Sequence, residues 1–385
     1  MRIALIIERL EPSRGGRETS TLQVAAALAR AGQDVTVVCQ RGVGGPGVRL
    51  VELGSGGLTR YARLRRFVQT VQKHLADESY DIAHAMLPID GVDVYQPRGG
   101  TMPAQQDASY RRRGALGRLA VAWSAPLNRC RNYAADIERR LAGDSRVTCL
   151  AVSQMVAREF ERHYDRRDGV HVVFNGVDVP PADSPQRADW RQKLRFSMDV
   201  GSRDMVFLTI ATNFELKGVS QAISAFARWY HADAARRNAR LVVVGREHTE
   251  GYHRQAQMRE VGAQVTFIGP TDDVFPWYAA ADAFMLLSWY DPCSRCVLEA
   301  ARWGVPSITT AFNGASEAVA AGGGLVVGSP RDTRAIVAAM DELADPQRRA
   351  AHGEACRKIA GDLSVDRHVE KLMEAYAQIA ATRTR

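Results

Sequence analysis

The chain has little that would place it within a membrane or in a secretory pathway. Nowhere in its 385 residues is there an uninterrupted apolar run of about eighteen residues, which a membrane-spanning helix requires. The opening segment MRIALIIERL carries Glu8 and Arg9 where the apolar part of a signal peptide would have to continue. We therefore expect this segment to be a first strand and the protein to be cytosolic.

Cysteines are few, and their spacing does not suggest a disulfide framework. The six cysteines are scattered, and only Cys293 and Cys296 form a C-x-x-C motif, which no second pair or histidine cluster completes as a zinc site. No D-x-D loop for a divalent ion is evident. Reduced thiols are the ordinary state in the cytosol. The sequence thus predicts neither a metal nor a redox cofactor.

Positive charge is in excess and is concentrated in one region. The formal charge is +8 and the pI is about 9.3, which favours an acidic partner. Arginines cluster over residues 111–141, interleaved with apolar side chains that include a tryptophan. The arginines are Arg111, Arg112, Arg113, Arg118, Arg129, Arg131, Arg139 and Arg140, and the apolar side chains are Leu116, Leu119, Val121, Trp123, Leu127 and Tyr133.

This composition is typical of an interfacial helix on an anionic membrane surface. We expect a basic, membrane-facing helix over about 111–141, kinked or broken at Pro126. A solvated helical face packed on its own domain is the alternative. No nucleic-acid-binding motif accompanies the charge, so we expect no nucleic-acid partner.

Apolar strand-length segments alternate with helical segments through most of the chain. Hydrophobic residues make up 46% and charged residues 24%, as in a large globular protein of two domains. The alternation predicts doubly wound parallel sheets of α/β type. The turn cluster Asn175-Gly176-Val177-Asp178, followed by Pro180-Pro181, is a predicted linker. A final helix is expected over 365–381.

The most informative stretch runs from 287 to 317. An apolar strand over 280–287 precedes a loop that carries Asp291, and Pro292 prevents an earlier helix start. We expect a helix over 296–302, with Glu299 in its first turn, and then a strand over 305–309. Helix N-terminal N–H groups attract anions, and a nearby carboxylate can accept hydrogen bonds from neighbouring hydroxyls. A sugar, a phosphate or a ribose would suit both, although an exposed loop with an ordinary first-turn glutamate remains the alternative.

This stretch resembles the signature of family 4 glycosyltransferases. Its matching features are Asp291, seven intervening residues, Glu299, then Gly304-Val305-Pro306 and Thr309-Thr310. The segment FNGVD and the pair Lys217-Gly218 resemble further family motifs. The resemblance implies the GT-B fold, with two Rossmann-like domains facing a central cleft and a C-terminal helix crossing back. The expected boundaries are 1–178 for the acceptor domain, 179–364 for the nucleotide-sugar domain and 365–385 for the helix.

Residue roles follow from the same resemblance. Lys217 would neutralise the donor pyrophosphate, Glu299 would hold the ribose hydroxyls, and Asp291 would hold the donor sugar. Other donor contacts would come from glycine turns and from the N–H groups before the helix, and acceptor contacts from two side chains at strand ends. The glycines are Gly15, Gly16, Gly245 and Gly269, the N–H groups belong to Cys293, Ser294, Arg295 and Cys296, and the acceptor candidates are His84 and Arg98.

Several positions depart from the pattern. The first acid of the signature is usually Glu, and many members carry Arg where this chain has Thr212. Ser20 and Gly99 stand where related glucosyltransferases have Asp. These changes bear on the identity of the acceptor and of the donor.

Within the family, residues 91–100, residues 128–142 and the basic region are similar to lipopolysaccharide core glucosyltransferases. The likeness implies a retaining, metal-independent hexosyltransferase that uses UDP-glucose without any cofactor. Its acceptor would be a lipopolysaccharide core or another lipid-linked glycan, at the inner face of the cytoplasmic membrane. The alternatives are a carbohydrate-binding subunit that has lost catalysis and a nucleotide-sugar epimerase on the same fold.

Overall fold

A computed structural model describes residues 1–11, 15–54, 56–114, 117–119, 123, 125–180 and 182–383. The chain divides into two compact units. The N-terminal unit comprises Met1–Val177 and Ser364–Arg385, and the C-terminal unit comprises Asp178–Leu363. The observed boundaries fall after Val177 and after Leu363. Each is one residue earlier than the predicted boundary, after residue 178 or residue 364.

The N-terminal unit is built on a parallel sheet. Among its described residues the strand order is β5-β3-β1-β6-β7-β8-β9, and β2 pairs separately with β4. The strands are β1 Arg2–Ile6, β2 Arg9–Leu10, β3 Asp34–Cys39, β4 Arg41–Gly42, β5 Val48–Glu52, β6 Ile82–Ala85, β7 Val94–Tyr95, β8 Thr148–Ala151 and β9 Val170–Val172. The central strand β1 is apolar and almost wholly buried, because helices cover both faces of a parallel sheet.

Helices cover this sheet. They are α1 Gly16–Arg30, α2 Arg60–Asp77, α3 Met102–Arg112, α4 Arg129–Gly143 and α5 Gln154–Tyr164. Helix α5 begins at Gln154 because the Ser153 hydroxyl accepts a hydrogen bond from the Val156 N–H at 3.3 Å and caps the first turn.

The basic region expected over about 111–141 is broken at Pro126, as predicted, and it is also interrupted after Arg112. Helix α3 ends at Arg112, a short 3₁₀ turn spans Ala125–Leu127, and α4 begins at Arg129. Gly114 follows the end of α3, and Pro126 lies in the 3₁₀ turn, where its ring blocks α-helical hydrogen bonding. Of the apolar side chains predicted for this region, Leu116 and Val121 lie outside the described residues, as do residues 12–14 of the first loop and Pro181 of the linker.

The C-terminal unit repeats the architecture with the parallel strand order β12-β11-β10-β13-β14-β15 among its described residues. The strands are β10 Val206–Ile210, β11 Arg240–Val244, β12 Val265–Ile268, β13 Ala283–Leu286, β14 Ser307–Thr310 and β15 Gly324–Val327. The helices are α6 Gln186–Ser197, α7 Val219–His231, α8 Glu250–Met258, α9 Phe275–Ala280, α10 Arg295–Arg302, α11 Ser316–Ala318, α12 Thr333–Ala344 and α13 Pro346–Ile359. Its core joins Phe207 of β10 to Phe226 and Trp229 of α7.

The last helix, α14 Val365–Arg383, returns to the N-terminal unit as predicted. Val369, Leu372 and Tyr376 on this helix are buried in the same apolar core as β1 and α1. Full burial of an aliphatic side chain contributes about 1.5–3 kcal/mol, so this apolar face anchors the helix. Among the described residues, no helix combines the length and the apolarity needed to span a membrane.

Candidate donor and acceptor sites

The predicted donor residues of the C-terminal unit converge at the carboxyl ends of its strands. The loop after β10 carries Lys217, and the loop after β13 carries Asp291. The Lys217 ammonium donates a hydrogen bond to the Asp291 carboxylate, and the two side chains are 19% and 10% exposed. A lysine and an aspartate that are 74 residues apart along the chain therefore form one charged pair.

Glycines allow this close approach of the loops. Gly218, which follows Lys217, has φ of 71°, and a Cβ there would lie 2.1 Å from the Leu287 carbonyl oxygen. Gly245 follows β11 and has φ of 151°, and a Cβ there would lie 1.8 Å from the Ala211 carbonyl oxygen. Side chains other than hydrogen do not fit either position. Gly269, by contrast, has open space around it.

Helix α10 presents the second predicted acid. It begins at Arg295 rather than at Cys296, so Glu299 lies in its second turn and not in the first turn as predicted. The Glu299 Oε1 accepts a hydrogen bond from Arg295 Nη2 at 3.2 Å. The Tyr278 hydroxyl lies 3.1 Å from the other oxygen, Oε2, and 3.0 Å from the Cys296 carbonyl oxygen. Both carboxylate oxygens are thus held in place.

The charged groups surround one thiol. Burial raises the pKa of Cys296 to about 12, the Glu299 and Asp291 carboxylates act in the same direction, and the Lys217 and Arg295 cations oppose them. All four charges are therefore close enough to act on this one sulfur. Cys293 is buried, and no group of three metal-ligating side chains occurs in the described part of the chain.

Asn313 fixes the loop that carries Asp291. Its Oδ1 accepts hydrogen bonds from the Ser294 N–H at 3.2 Å and from the Ala315 N–H at 3.0 Å, and its Nδ2 donates to Thr309 Oγ1 at 3.0 Å. Asp291 also pairs with this segment through its own backbone. Sequence reasoning missed both Asn313 and Tyr278. The Asn313-Gly314 turn signal was present in the sequence, whereas nothing local distinguishes Tyr278 from a core tyrosine.

The remaining predicted residues lie in the N-terminal unit. Gly15 and Gly16 lie where α1 begins, with Gly15 at the N-cap position. Arg98 is largely buried; its Nη1 donates to the Ser20 hydroxyl and its Nε donates to Gln96 Oε1 at 3.1 Å. Arg98 Nη2 lies 3.4 Å from His368 Nε2 on α14.

His84 is placed differently from expectation. It has no exposed surface, and its Nδ1 lies 2.6 Å from the Tyr376 hydroxyl of α14. Burial, reinforced by the positive charge of Arg98, lowers the pKa of His84 well below its ordinary value. Burial likewise lowers the pKa of His368 to about 3. In this structure the His84 imidazole contacts the C-terminal helix, and its packing leaves no surface for an acceptor.

Comparisons with known proteins agree with this architecture. Residues 14–180 match the family described as Glycosyltransferase Family 4, and residues 203–345 match Glycosyl transferases group 1. The lipopolysaccharide glucosyltransferase WaaG of Escherichia coli K12 is 26% identical over 82% of this chain and 82% of its own length. A GDP-mannose-dependent phosphatidylinositol monomannoside mannosyltransferase of Corynebacterium glutamicum is 30% identical over 54% of this chain and 55% of its own.

Solved structures show the same fold. The crystal structure of WaaG superposes with a TM-score of 0.78 at 23% identity, over 96% of this chain and 98% of that one. Anabaena HepE in complex with UDP and glucose superposes with a TM-score of 0.70 at 19% identity, over 98% and 100% of the two chains. The protein is therefore a glycosyltransferase of the GT-B fold. Two glycosyltransferase family models together match most of the chain, and the chain is similar to WaaG.

Proposed function

We propose that the protein transfers a hexose from a nucleotide sugar, UDP-glucose first among candidates, to a lipopolysaccharide core or another lipid-linked glycan. The pairing of Lys217 with Asp291 beside Glu299 carries this proposal, because it places one cation and two carboxylates around one candidate donor site. The names of the relatives agree with it, since WaaG is a lipopolysaccharide glucosyltransferase. The proposal includes no metal and no cofactor.

Each charged side chain of the candidate donor site has one role in the proposed transfer reaction. Cleavage of the bond between sugar and diphosphate leaves negative charge on the departing oxygen, and a fixed cation stabilises that charge as it develops. Lys217 supplies this cation. Asp291 and the N–H groups at the start of α10 hold the sugar, and Glu299 accepts hydrogen bonds from the ribose hydroxyls. We propose transfer with retention of the anomeric configuration, as the family resemblance implies, with Arg98 at the acceptor side.

Donor binding and turnover test this proposal together. Thermal unfolding is measured with UDP, GDP, ADP and their glucose and mannose conjugates, since a ligand that binds the native state raises the melting temperature. We expect a shift with the uridine compounds that Glu299→Ala reduces and that Glu354→Ala, at an exposed acid of the same unit, leaves unchanged. Hydrolysis or transfer of UDP-glucose is then followed with each variant.

The outcomes separate the candidate functions. Binding without any turnover would favour a carbohydrate-binding subunit. Two departures from the family pattern support this candidate: Asp291 in place of the usual Glu, and Thr212 where many members have Arg. Conversion of a UDP-N-acetylhexosamine without an acceptor would instead indicate an epimerase. A failure of every nucleotide sugar to bind better to the wild type than to Glu299→Ala would refute the proposal.

We further propose that the protein acts at the inner face of the cytoplasmic membrane. Leu119, Trp123 and Leu127 are 58%, 78% and 80% exposed within the arginine-rich region, and such side chains together insert into an anionic interface. Co-sedimentation with phosphatidylglycerol vesicles should exceed that with neutral vesicles and decrease with salt. Trp123→Ser should weaken binding, whereas Phe196→Ser, at a residue 87% exposed in the other unit, should not. Equal binding to neutral vesicles would contradict the proposal.

A further inference from the structure

One cation of the donor site has a role that neither the sequence motifs nor the relatives assign. Arg295 is the first residue of α10, and its side chain is nine-tenths buried. Its Nη2 donates to Glu299 Oε1 at 3.2 Å. Its Nη1 is buried and, among the described residues, has no hydrogen-bond partner. A buried hydrogen-bond donor without a partner lowers the stability of the folded state. The position of Arg295 Nη1 is therefore better explained if this group binds a ligand.

The surroundings of Arg295 indicate what would satisfy this donor. Arg295 begins α10, four residues after Asp291 on the loop that leads into this helix. The ammonium of Lys217 is already engaged by Asp291. The start of α10 adds N–H groups that favour an anion. Two cations and a helix N-terminus around one site suit a ligand that carries more than one negative charge.

We propose that the Arg295 guanidinium releases Glu299 when the donor nucleotide binds and forms hydrogen bonds with the diphosphate of the donor instead. In the structure Arg295 pairs with Glu299 and donates a hydrogen bond to its Oε1. With the diphosphate bound, the guanidinium donates to phosphate oxygens, for which its planar fork of donors is well suited. Glu299 Oε1 is thereby freed for the ribose hydroxyls. Arg295 thus couples recognition of the phosphates to recognition of the ribose.

This inference rests on the proposed function, since it concerns the same donor site. A purely structural role makes a different prediction. If Arg295 only held Glu299 in place, its loss would weaken the binding of uridine and of UDP by the same factor. If Arg295 binds phosphate, its loss weakens the binding of UDP and leaves that of uridine nearly unchanged.

The experiment measures the affinities of UDP and uridine by calorimetry for the full chain and its variants. Arg295→Gln should raise the UDP dissociation constant about tenfold or more, the loss expected for a charge-assisted hydrogen bond, and change that of uridine by less than about twofold. Arg295→Lys, which retains a cation, should lose less UDP affinity than Arg295→Gln. The control Arg302→Gln removes the same charge from the last turn of the same helix and should change neither affinity.

Two results would overturn the inference. Equal losses for uridine and UDP in Arg295→Gln, with circular dichroism unchanged, would leave Arg295 as a positioning residue for Glu299 alone. Unchanged affinity for both ligands would leave it with no role in the donor site. If the wild type binds neither UDP nor GDP nor ADP, the proposed function itself fails and this inference fails with it. If the wild type binds UDP but Arg295→Gln does not lose more affinity for UDP than for uridine, only the inference fails.

Discussion

The charges of Lys217 and Asp291 should be strongly coupled in the folded protein. The two side chains are only 19% and 10% exposed, so removing one partner leaves the other charge in a poorly solvated position. Breaking a fully buried pair in this way costs about 3–5 kcal/mol. Since both side chains retain some exposure, we expect about 2–3 kcal/mol for Lys217→Met or Asp291→Asn alone. The double variant removes both charges and should cost no more than either single change.

The expected coupling energy is therefore at least about 1.5 kcal/mol, well above the error of a double-mutant cycle. Urea unfolding followed by tryptophan fluorescence measures it. Of the six tryptophans, all but Trp123 lie in the C-terminal unit, so the signal reports mainly on the unit that holds the pair. With an m-value of about 2–3 kcal/mol/M, each single change should lower the urea midpoint by about 1 M.

An exposed ion pair provides the control. Lys193 and Asp189 form an i,i+4 pair on α6 at 2.8 Å, with side chains 73% and 53% exposed, and such pairs couple by about 0.5 kcal/mol or less. If the Lys217 and Asp291 changes add within about 0.5 kcal/mol, the pair does not form in the empty enzyme. The account of a site in which Asp291 holds Lys217 would then be wrong.

Three further predictions concern single side chains. Gly218→Ala should destabilise the C-terminal unit by about 3 kcal/mol or more, since its Cβ would meet the Leu287 carbonyl at 2.1 Å at a positive φ, whereas Gly269→Ala, with open space around it, should leave the urea midpoint within about 0.2 M. Tyr278→Phe should weaken uridine binding about three- to tenfold in calorimetry, because Glu299 Oε2 loses a donor at 3.1 Å, and unchanged binding would exclude a positioning role. His368 has its pKa lowered to about 3 by burial, so the unfolded chain binds a proton below about pH 6.5 that the native state does not. Stability should then be fully present above pH 6.5 and fall toward pH 3 by up to about 1.4 kcal/mol per pH unit, and calorimetric scans of His368→Gln should show a shallower decline than the wild type.

Local chemistry explains which parts of the fold could be predicted from the sequence. The start of α5 depends on a contact only three residues away along the chain, since the Ser153 side chain caps the helix, and a serine before a helical segment is a cap signal that a sequence shows. The return of the last helix follows from its apolar face. The break of the basic region at Pro126 was predictable from the proline ring, whereas the end of α3 at Arg112 was not, because arginine content indicates charge and not helix continuity.

The site could be predicted only where a motif brings residues together along the chain. Asp291 and Glu299 are found by their spacing. Tyr278, however, reaches Glu299 from 21 residues away, through the packing of α9 against α10. The burial of His84 depends on Tyr376, which lies 292 residues further along the chain. A contact between residues so far apart along the chain depends on the whole fold, so no local sequence pattern predicts it.

Backbone contacts show how Asp291, which stands where the family signature usually has glutamate, is held in place. The Asp291 N–H donates to the Phe312 carbonyl at 2.9 Å, and the Gly314 N–H donates to the Asp291 carbonyl at 2.8 Å. The backbone of this acid is therefore fixed on both sides by the segment that follows β14. A fixed backbone leaves the side chain only two rotatable bonds, and the structure directs it to Lys217. The shorter acid thus makes a defined ion pair with Lys217. Under the proposed function, a donor diphosphate would have to share or displace this pair when it binds. Affinity for the donor would then depend on how readily Lys217 is released, and Arg295, which is paired with Glu299, would face the same competition.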